Sequence, residues 1–407
     1  MSTNYLGAVA DLFSGGGGMS YGFAAHPAFA MVAAADAEIG KPSTGAGAIG
    51  CNATYEANMK VTPQAVDLGL TSPTDVVEAW KLDATDPLSV LLACPPCTGF
   101  SRAIAKNSTE DDPRNSLIAH AADYADLLSP SVMLMENVPQ LLNGRFNSHF
   151  LALRKNLTGL GYQVHASVHR LREFGLAQQR ERAVVIAVKK DLQMRTLEDL
   201  WEGFGVSPAA TTVRRAISDL PAILSGETHP SDPSHTSTHL EGASLERIQA
   251  IPHNGGSWPD LLADEGKHRH LIPSMWRAVE KGRLNSYCDI YGRLSWDKPA
   301  PTIKRECSHV GNGRYAHPEQ DRQCSVRELG LLQGFPIDYK FVGTSRKNLY
   351  RQIGDAVPPL ISHQLAWVAS WILTGEKPDL ASTILAGTNL TSADIVRKPH
   401  QASIAFC

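Results

Sequence analysis

The chain has 407 residues, 43% of them hydrophobic and 19% charged, with a formal net charge of −3. That length and apolar content support a full core with room for two domains, the profile of an ordinary soluble globular protein. The charge balance gives no global sign of a polyanion partner, so any nucleic-acid surface must be local. No apolar run approaches the ~20 residues of a membrane helix, and the first residues lack a basic, then apolar, leader. The seven cysteines have no framework spacing, which suits a reducing compartment and predicts a cytoplasmic location.

In chain order, residues 6–13 read as a short buried strand that runs into Ser14-Gly15-Gly16-Gly17-Gly18, a glycine loop opening a helix. Such a βα turn lets a nucleotide approach the backbone closely and tolerates positive φ. A second strand, 29–35, ends at Asp36, roughly 20 residues past the loop, where an acid can take two ribose hydroxyls. Residues 41–50 read as a flexible insertion before a helix around Tyr55 and Asn58. Val90-Leu91-Leu92-Ala93 forms the next strand and empties into Cys94-Pro95-Pro96-Cys97. The prolines fix φ and remove donors, so the strand stops and Cys97 lies at its carboxyl end, the edge where open α/β sheets bind ligands. A zinc or redox reading of the two cysteines lacks a second pair or nearby histidines. Cys94 suits a buried structural thiol, whereas Cys97 is presented.

Residues 130–135 form a further strand ending in Glu136-Asn137-Val138, on the same edge as Cys97; a solvated loop carboxylate is the alternative reading of Glu136. Gln178-Gln179-Arg180-Glu181-Arg182 leads into a strand over 183–188. Arginines two apart on a strand point the same way, so Arg180 and Arg182 are predicted to converge on one anionic or carbonyl-rich ligand, unless they are an ordinary edge charge pair.

The order of these motifs says more than any one of them. The segment Asp11 to Gly18, Pro95-Pro96-Cys97, Glu136-Asn137-Val138, Gln178 to Arg182, Arg327-Glu328 through Gln333-Gly334-Phe335-Pro336, and Gln352-Ile353-Gly354-Asp355-Ala356-Val357-Pro358-Pro359 together resemble the cytosine-5 DNA methyltransferase family across almost the whole chain. Arg114-Asn115, Trp258 and Pro299-Ala300-Pro301-Thr302-Ile303 add to the likeness. The resemblance implies an α/β, Rossmann-like methyltransferase domain with a mostly parallel sheet, plus a smaller irregular target-recognition domain and a carboxyl-terminal helix that returns to the first. Mapped here, the catalytic domain is 1–188 with 350–407, and the target-recognition domain and hinge are 189–349. The many prolines, glycines and histidines of the middle segment agree with loops and short strands. Arg214, Arg215, His268, Arg269, His270, Arg277, Lys281, Arg283, Lys304, Arg305 and Arg314 offer local positive charge, for phosphate contact or as a solvated surface.

The resemblance further implies S-adenosyl-L-methionine as methyl donor, double-stranded DNA as substrate, a nucleoid-associated monomer, and no metal or membrane. Whether a cognate restriction endonuclease accompanies it stays open. Cys97 would attack C6 of a flipped-out cytosine, Glu136 would hold or protonate N3, and Arg182 with Arg180 behind it would bind O2. Phe13, Gly15, Gly17, Asp36, Asp67, Pro96 and Asp355 would line the cofactor pocket, and Ser101, Asn137, Gln178 and Thr302 would contact substrate. Residues from Thr98 to about Asn115 read as a closing lid. Two positions depart from the family pattern: Thr98 stands where glutamine is usual and Asp355 where asparagine is usual, and an ionised carboxylate only accepts whereas asparagine also donates. A transfer-RNA methyltransferase and a catalytically idle DNA-binding relative are the competing readings. The sizeable segment from Lys189 to Ile303 favours DNA, and the intact Cys97, Glu136, Arg180 and Arg182 favour an enzyme.

Overall fold

A computed structural model describes residues 5–39, 49–96, 111–284 and 288–398. Cys97, Thr98, Ser101, most of the expected lid and nearly all of the 41–50 insertion lie outside the described residues.

Eight early strands organise the first half: β1 Gly7–Leu12, β2 Phe29–Asp36, β3 Gln64–Ala65, β4 Leu88–Ala93, β5 Val132–Asn137, β6 Tyr162–Arg170, β7 Gln178–Gln179 and β8 Glu181–Lys189. Seven of them form one sheet in the order β3-β2-β1-β4-β5-β8-β6. The neighbours from β3 to β5 pair in parallel, and β8 alone runs antiparallel to the strands on either side of it. Every residue of β1 is buried, and β4 is buried at all but one position, as expected for strands covered on both faces. Helix α1 (Gly18–Ala24) follows β1, α2 (Cys51–Met59) follows β2, α3 (Pro73–Trp80) precedes β4, α4 (Leu117–Leu128) precedes β5, and α5 (Ser148–Gly159) precedes β6. Two apolar clusters form around the sheet, one including Val90, Leu134, Ile186 and Leu365 and the other Leu91, Met133, Ile118 and Leu153.

Chain order reverses at β1, which lies between β2 and β4, so a crevice opens at the carboxyl ends of β1 and β4. The late helix Pro359–Thr374 closes the fold behind this crevice. It presses directly on α1: a Cβ on Gly22 would lie 2.1 Å from the backbone nitrogen of His363. Ser362 Oγ also accepts from Gly22 N at 3.1 Å and donates to the Gly18 carbonyl at 3.0 Å. The expected return of the carboxyl-terminal helix is thus an actual contact.

Between Lys189 and the helix Arg346–Asp355 the regular βα alternation stops, and short pieces such as the hairpin Thr228–His229 with Asp232–Thr236 take its place. Irregular backbone leaves carbonyls without partners, and buried arginines supply the donors. Arg293, fully buried, donates to the carbonyls of Ile248, Ile251, His317 and Gln320. Trp258, also fully buried, centres the local core with Ile248, Leu261 and Met275. Ala300–Pro301 pairs in parallel with β7 and so fastens this region to the crevice edge.

Candidate active site

Four strand ends meet at the crevice. After β1, Phe13 adopts φ 62°, a left-handed conformation that a bulky side chain rarely takes, and such local strain concentrates at functional loops. Gly15 and Gly17 follow with φ 51° and 86°. A Cβ on Gly15 would meet nothing among the described residues within 4 Å, whereas one on Gly17 would lie 2.6 Å from Met59 Cε. Asp36, at the end of β2, accepts from Gly15 N at 2.9 Å and from Glu38 N at 2.7 Å, tying the second strand to the glycine loop. Asp67 stands two residues past β3 and accepts from Gly69 N at 2.8 Å, which caps its own turn.

Below the loop lies a polar network that the sequence reading did not single out. Asp11 is fully buried and accepts from Ser20 Oγ, which in turn receives Tyr55 OH at 2.9 Å. Burial pushes the Asp11 carboxyl up to about 8. Tyr339 OH donates to the Gly16 carbonyl. Asp11 Oδ1 and Ser14 Oγ are buried without a hydrogen-bond partner among the described residues. Such polar atoms beside the glycine loop fit a polar ligand at this strand end. The one sequence-level signal for the network is the Asp11 that precedes the glycine run.

The carboxyl end of β4 is held to β5. Cys94 is half-buried, its Sγ faces Glu136 N at 3.4 Å, and burial raises its thiol far above the usual range, which marks it as an inert structural cysteine. Asn137 Nδ2 donates to the Pro95 carbonyl at 3.1 Å, and Pro96, exposed, is the last described residue before Cys97. Asn137 is only 1% exposed, so its side chain braces the Pro-Pro turn and does not face the crevice.

The antiparallel direction of β8 brings its first residues to this same edge: Ala183 pairs with Asn137 and Val184 with Glu136. Arg182 Nε consequently lies 2.9 Å from Glu136 Oε1, both side chains being nearly nine-tenths buried. Among the described residues that oxygen accepts no hydrogen bond and has the ion pair alone. Glu136 keeps acceptor capacity for a further group. Beside the pair is a cavity of about 510 Å³ whose walls include Gln140, Arg170, Arg172, Arg180, Arg182 and Thr302. Four arginines and one acid, Glu181, are among its lining residues, a net positive wall that suits an anionic or carbonyl-rich ligand.

Arg180 and Arg182 share that cavity, yet their guanidiniums do not converge as the spacing predicts. Arg180 falls in the irregular link between β7 and β8, where the two-residue strand period does not apply. Its Nη1 and Nη2 donate to the carbonyls of Ile303 and Ala356, both at 3.1 Å. Gln178 is fully buried, accepting from Ile303 N at 2.9 Å and donating to Gln333 Oε1 at 2.7 Å. Thr302, half-buried, donates to the Gln179 carbonyl from the cavity wall. Asp355 ends the helix Arg346–Asp355 and pairs with Arg305 at 2.8 Å. Of the basic residues named from the sequence, Arg314 is bonded to backbone carbonyls and His270 is buried, while Arg269, Arg277, Lys281 and Arg283 are exposed.

With this geometry in view, the profile described as C-5 cytosine-specific DNA methylase matches residues 7–369. The chain belongs to the C-5 cytosine-specific DNA methylase family. Its members use S-adenosyl-L-methionine as methyl donor, so this chain is an S-adenosylmethionine-dependent DNA cytosine-5 methyltransferase. Among curated relatives, the type II methylase M.HgiDII of Herpetosiphon aurantiacus is 32% identical over 89% of this chain and 94% of its own. The type II methyltransferase M1.HphI of Haemophilus parahaemolyticus is 30% identical over 90% and 86%. Among solved structures, a putative DNA modification methyltransferase encoded within an Escherichia coli prophage superposes with TM-score 0.58 at 22% identity, covering 91% of this chain and all of that one. At that identity the likeness concerns the fold, which is the Rossmann-like methyltransferase architecture expected from the motifs. Among the described residues this methylase has no cluster able to hold a metal ion and no helix long and apolar enough to cross a membrane.

Proposed function

We propose that this methyltransferase modifies one cytosine within a specific duplex DNA sequence, as the modification partner of a separately encoded type II restriction endonuclease, with Cys97 as nucleophile. The observation that carries the residue assignment is the Glu136–Arg182 pair at 2.9 Å, seated at the cavity beside the strand end that leads to Cys97. The type II names of the relatives support the restriction setting. We further divide the chain into a catalytic domain, 1–188 with 350–407, and a target-recognition domain with hinge, 189–349, acting as a monomer on cytoplasmic, nucleoid DNA. The end of the large sheet at Lys189 and the packing of Pro359–Thr374 on α1 support that division.

C5 of cytosine is a poor nucleophile inside an aromatic ring, so the ring must first lose its aromaticity. The Cys97 thiolate adds to C6, forming a C–S bond, while the electron pair moves toward N3 and O2. Glu136 gives or shares a proton at N3, and Arg182 sets fixed positive charge against O2. C5 thereby becomes electron-rich. S-adenosylmethionine, when bound, supplies an electrophilic methyl carbon. Loss of the C5 proton then expels the Cys97 sulfur and restores the ring. Both faces of a stacked base are covered, so the cytosine must leave the duplex to reach this cavity. For the donor, Phe13, Gly15 and Gly17 would form the close wall and Asp36 would accept from ribose hydroxyls.

Purified protein with labelled S-adenosylmethionine is expected to label duplex DNA, and Cys97→Ser to abolish the transfer. DNA carrying 5-fluorocytosine should trap a covalent complex, because fluorine blocks the final elimination. Label found only in RNA would overturn the substrate assignment, and methylation mapping of DNA from expressing cells would read out the target sequence.

A further inference from the structure

A closed ring of hydrogen bonds runs through Arg180. Gln178 accepts from Ile303 N and donates to Gln333 Oε1; Gln333 Nε2 donates to the Ala356 carbonyl at 2.7 Å; Arg180 donates to the carbonyls of both Ala356 and Ile303. Four chain segments, distant in sequence, meet in it. Just outside the ring, one residue from Ala356 and two from Ile303, stand Asp355 and Arg305, paired at 2.8 Å. A second pair, Glu306 with Arg351 at 3.0 Å, joins the same two segments. The segments are pressed together: a Cβ on Gly354 would lie 2.3 Å from the Lys304 carbonyl oxygen.

We propose that the Arg305–Asp355 ion pair is a latch that fixes the 303–306 segment against the 355–356 turn, so that Arg180 is held by two carbonyls and β8 presents Arg182 to the target base. This rests on the methyltransferase reading of the cavity. Arg182 lies two residues from Arg180, at the start of the strand that Arg180 anchors, and a shift of the anchor is transmitted to it along the backbone. The pairing also gives the aspartate a reason to stand where the family usually has asparagine: an ionised carboxylate meets the Arg305 guanidinium, which an amide would not neutralise. In this role both members are positioning residues. Arg305 is engaged by protein and not offered to phosphate, and Asp355 is turned to Arg305 and not to the donor.

The test uses the full chain with Asp355→Asn, Arg305→Gln, their combination, and Arg305→Lys. Each single neutral variant is expected to lower kcat for duplex DNA about tenfold, as small displacements of positioned groups do, with the KM for S-adenosylmethionine within about twofold of wild type. The combined variant should be no worse than either single one, because both break the same contact. Arg305→Lys, which keeps the charge, should recover most of the activity. Losses that multiply in the combined variant would overturn the latch. So would a raised KM for the donor with kcat kept, which would make Asp355 a cofactor contact. A fall of about one in the salt dependence of DNA binding for Arg305→Gln would do the same, marking a phosphate contact. Thermal melting of each variant separates unfolding from misplacement, and a wild type that labels no DNA would instead refute the catalytic reading.

Discussion

Replacing Glu136 by glutamine preserves volume and a carbonyl oxygen but removes both the charge facing Arg182 and the transferable proton. The pair stands at 2.9 Å with side chains 11% and 12% exposed. Two unit charges roughly 4 Å apart at an effective dielectric near 20 attract by about 4 kcal/mol, but taking both out of water offsets most of that. The variant leaves Arg182 nearly nine-tenths buried without its counter-charge, so a stability loss of about 3–5 kcal/mol is expected. Removing general acid assistance costs about 10²- to 10⁴-fold in rate, equivalent to roughly 3–5 kcal/mol of barrier. The activity loss should thus be read in enzyme that is still folded, well below its melting transition. The assay is methyl transfer from labelled S-adenosylmethionine to duplex DNA with both substrates saturating, run beside urea unfolding of the same preparation. A Glu136→Gln enzyme whose kcat stays within about threefold of wild type would refute the assignment of Glu136 to the chemistry.

Four other substitutions have definite expectations. Gly15→Ala, at φ 51°, meets none of the described residues, so it should cost only the roughly 1–2 kcal/mol of a left-handed L-residue while weakening donor binding in calorimetry. Gly17→Ala adds a collision with Met59 and should melt at a lower temperature than Gly15→Ala; the reverse order would contradict the packing described for the loop. With the Asp11 carboxyl pushed up to about 8, the unfolded chain releases that proton near pH 4 while the folded one retains it, so the folded state is progressively penalised as pH rises to about 8. The melting temperature of Asp11→Asn relative to wild type should therefore rise between pH 5 and pH 8, and a flat difference would show that Asp11 is not held protonated. Asn137→Ala leaves the Pro95 carbonyl without its donor at a buried site, for a stability loss of about 1–3 kcal/mol. Unchanged unfolding of that variant would mean the Pro-Pro turn is braced by something else.

Much of the amino-terminal half was legible from residue order, because its signals are local. A buried strand ending in glycines, an acid at the end of the next strand, and a proline pair that forbids strand continuation each act within a few residues, and the observed β1, β2 and β4 end where those signals say. Boundaries were less exact where no breaker intervenes: the strand expected over 130–135 runs from Val132 to Asn137, so Glu136 belongs to the strand itself. The side-chain partners were not legible, since each depends on segments far apart in sequence. That β8 runs antiparallel beside β5 is what sets Arg182 against Glu136, and no periodicity in either strand encodes it. Gln178 and Asn137 carry motif positions read as substrate contacts, yet the fold turns both inward, because the irregular turns nearby have carbonyls and amides that only a buried side-chain amide can satisfy. Asp355, read as a pocket residue, pairs with Arg305 where Gly354 packs on Lys304, a partner its motif does not encode. Sequence alone determined which chemistry this chain carries and at which strand ends; the tertiary structure decided which of those residues face the crevice and which hold it open, because hydrogen-bond satisfaction is settled only when distant segments meet.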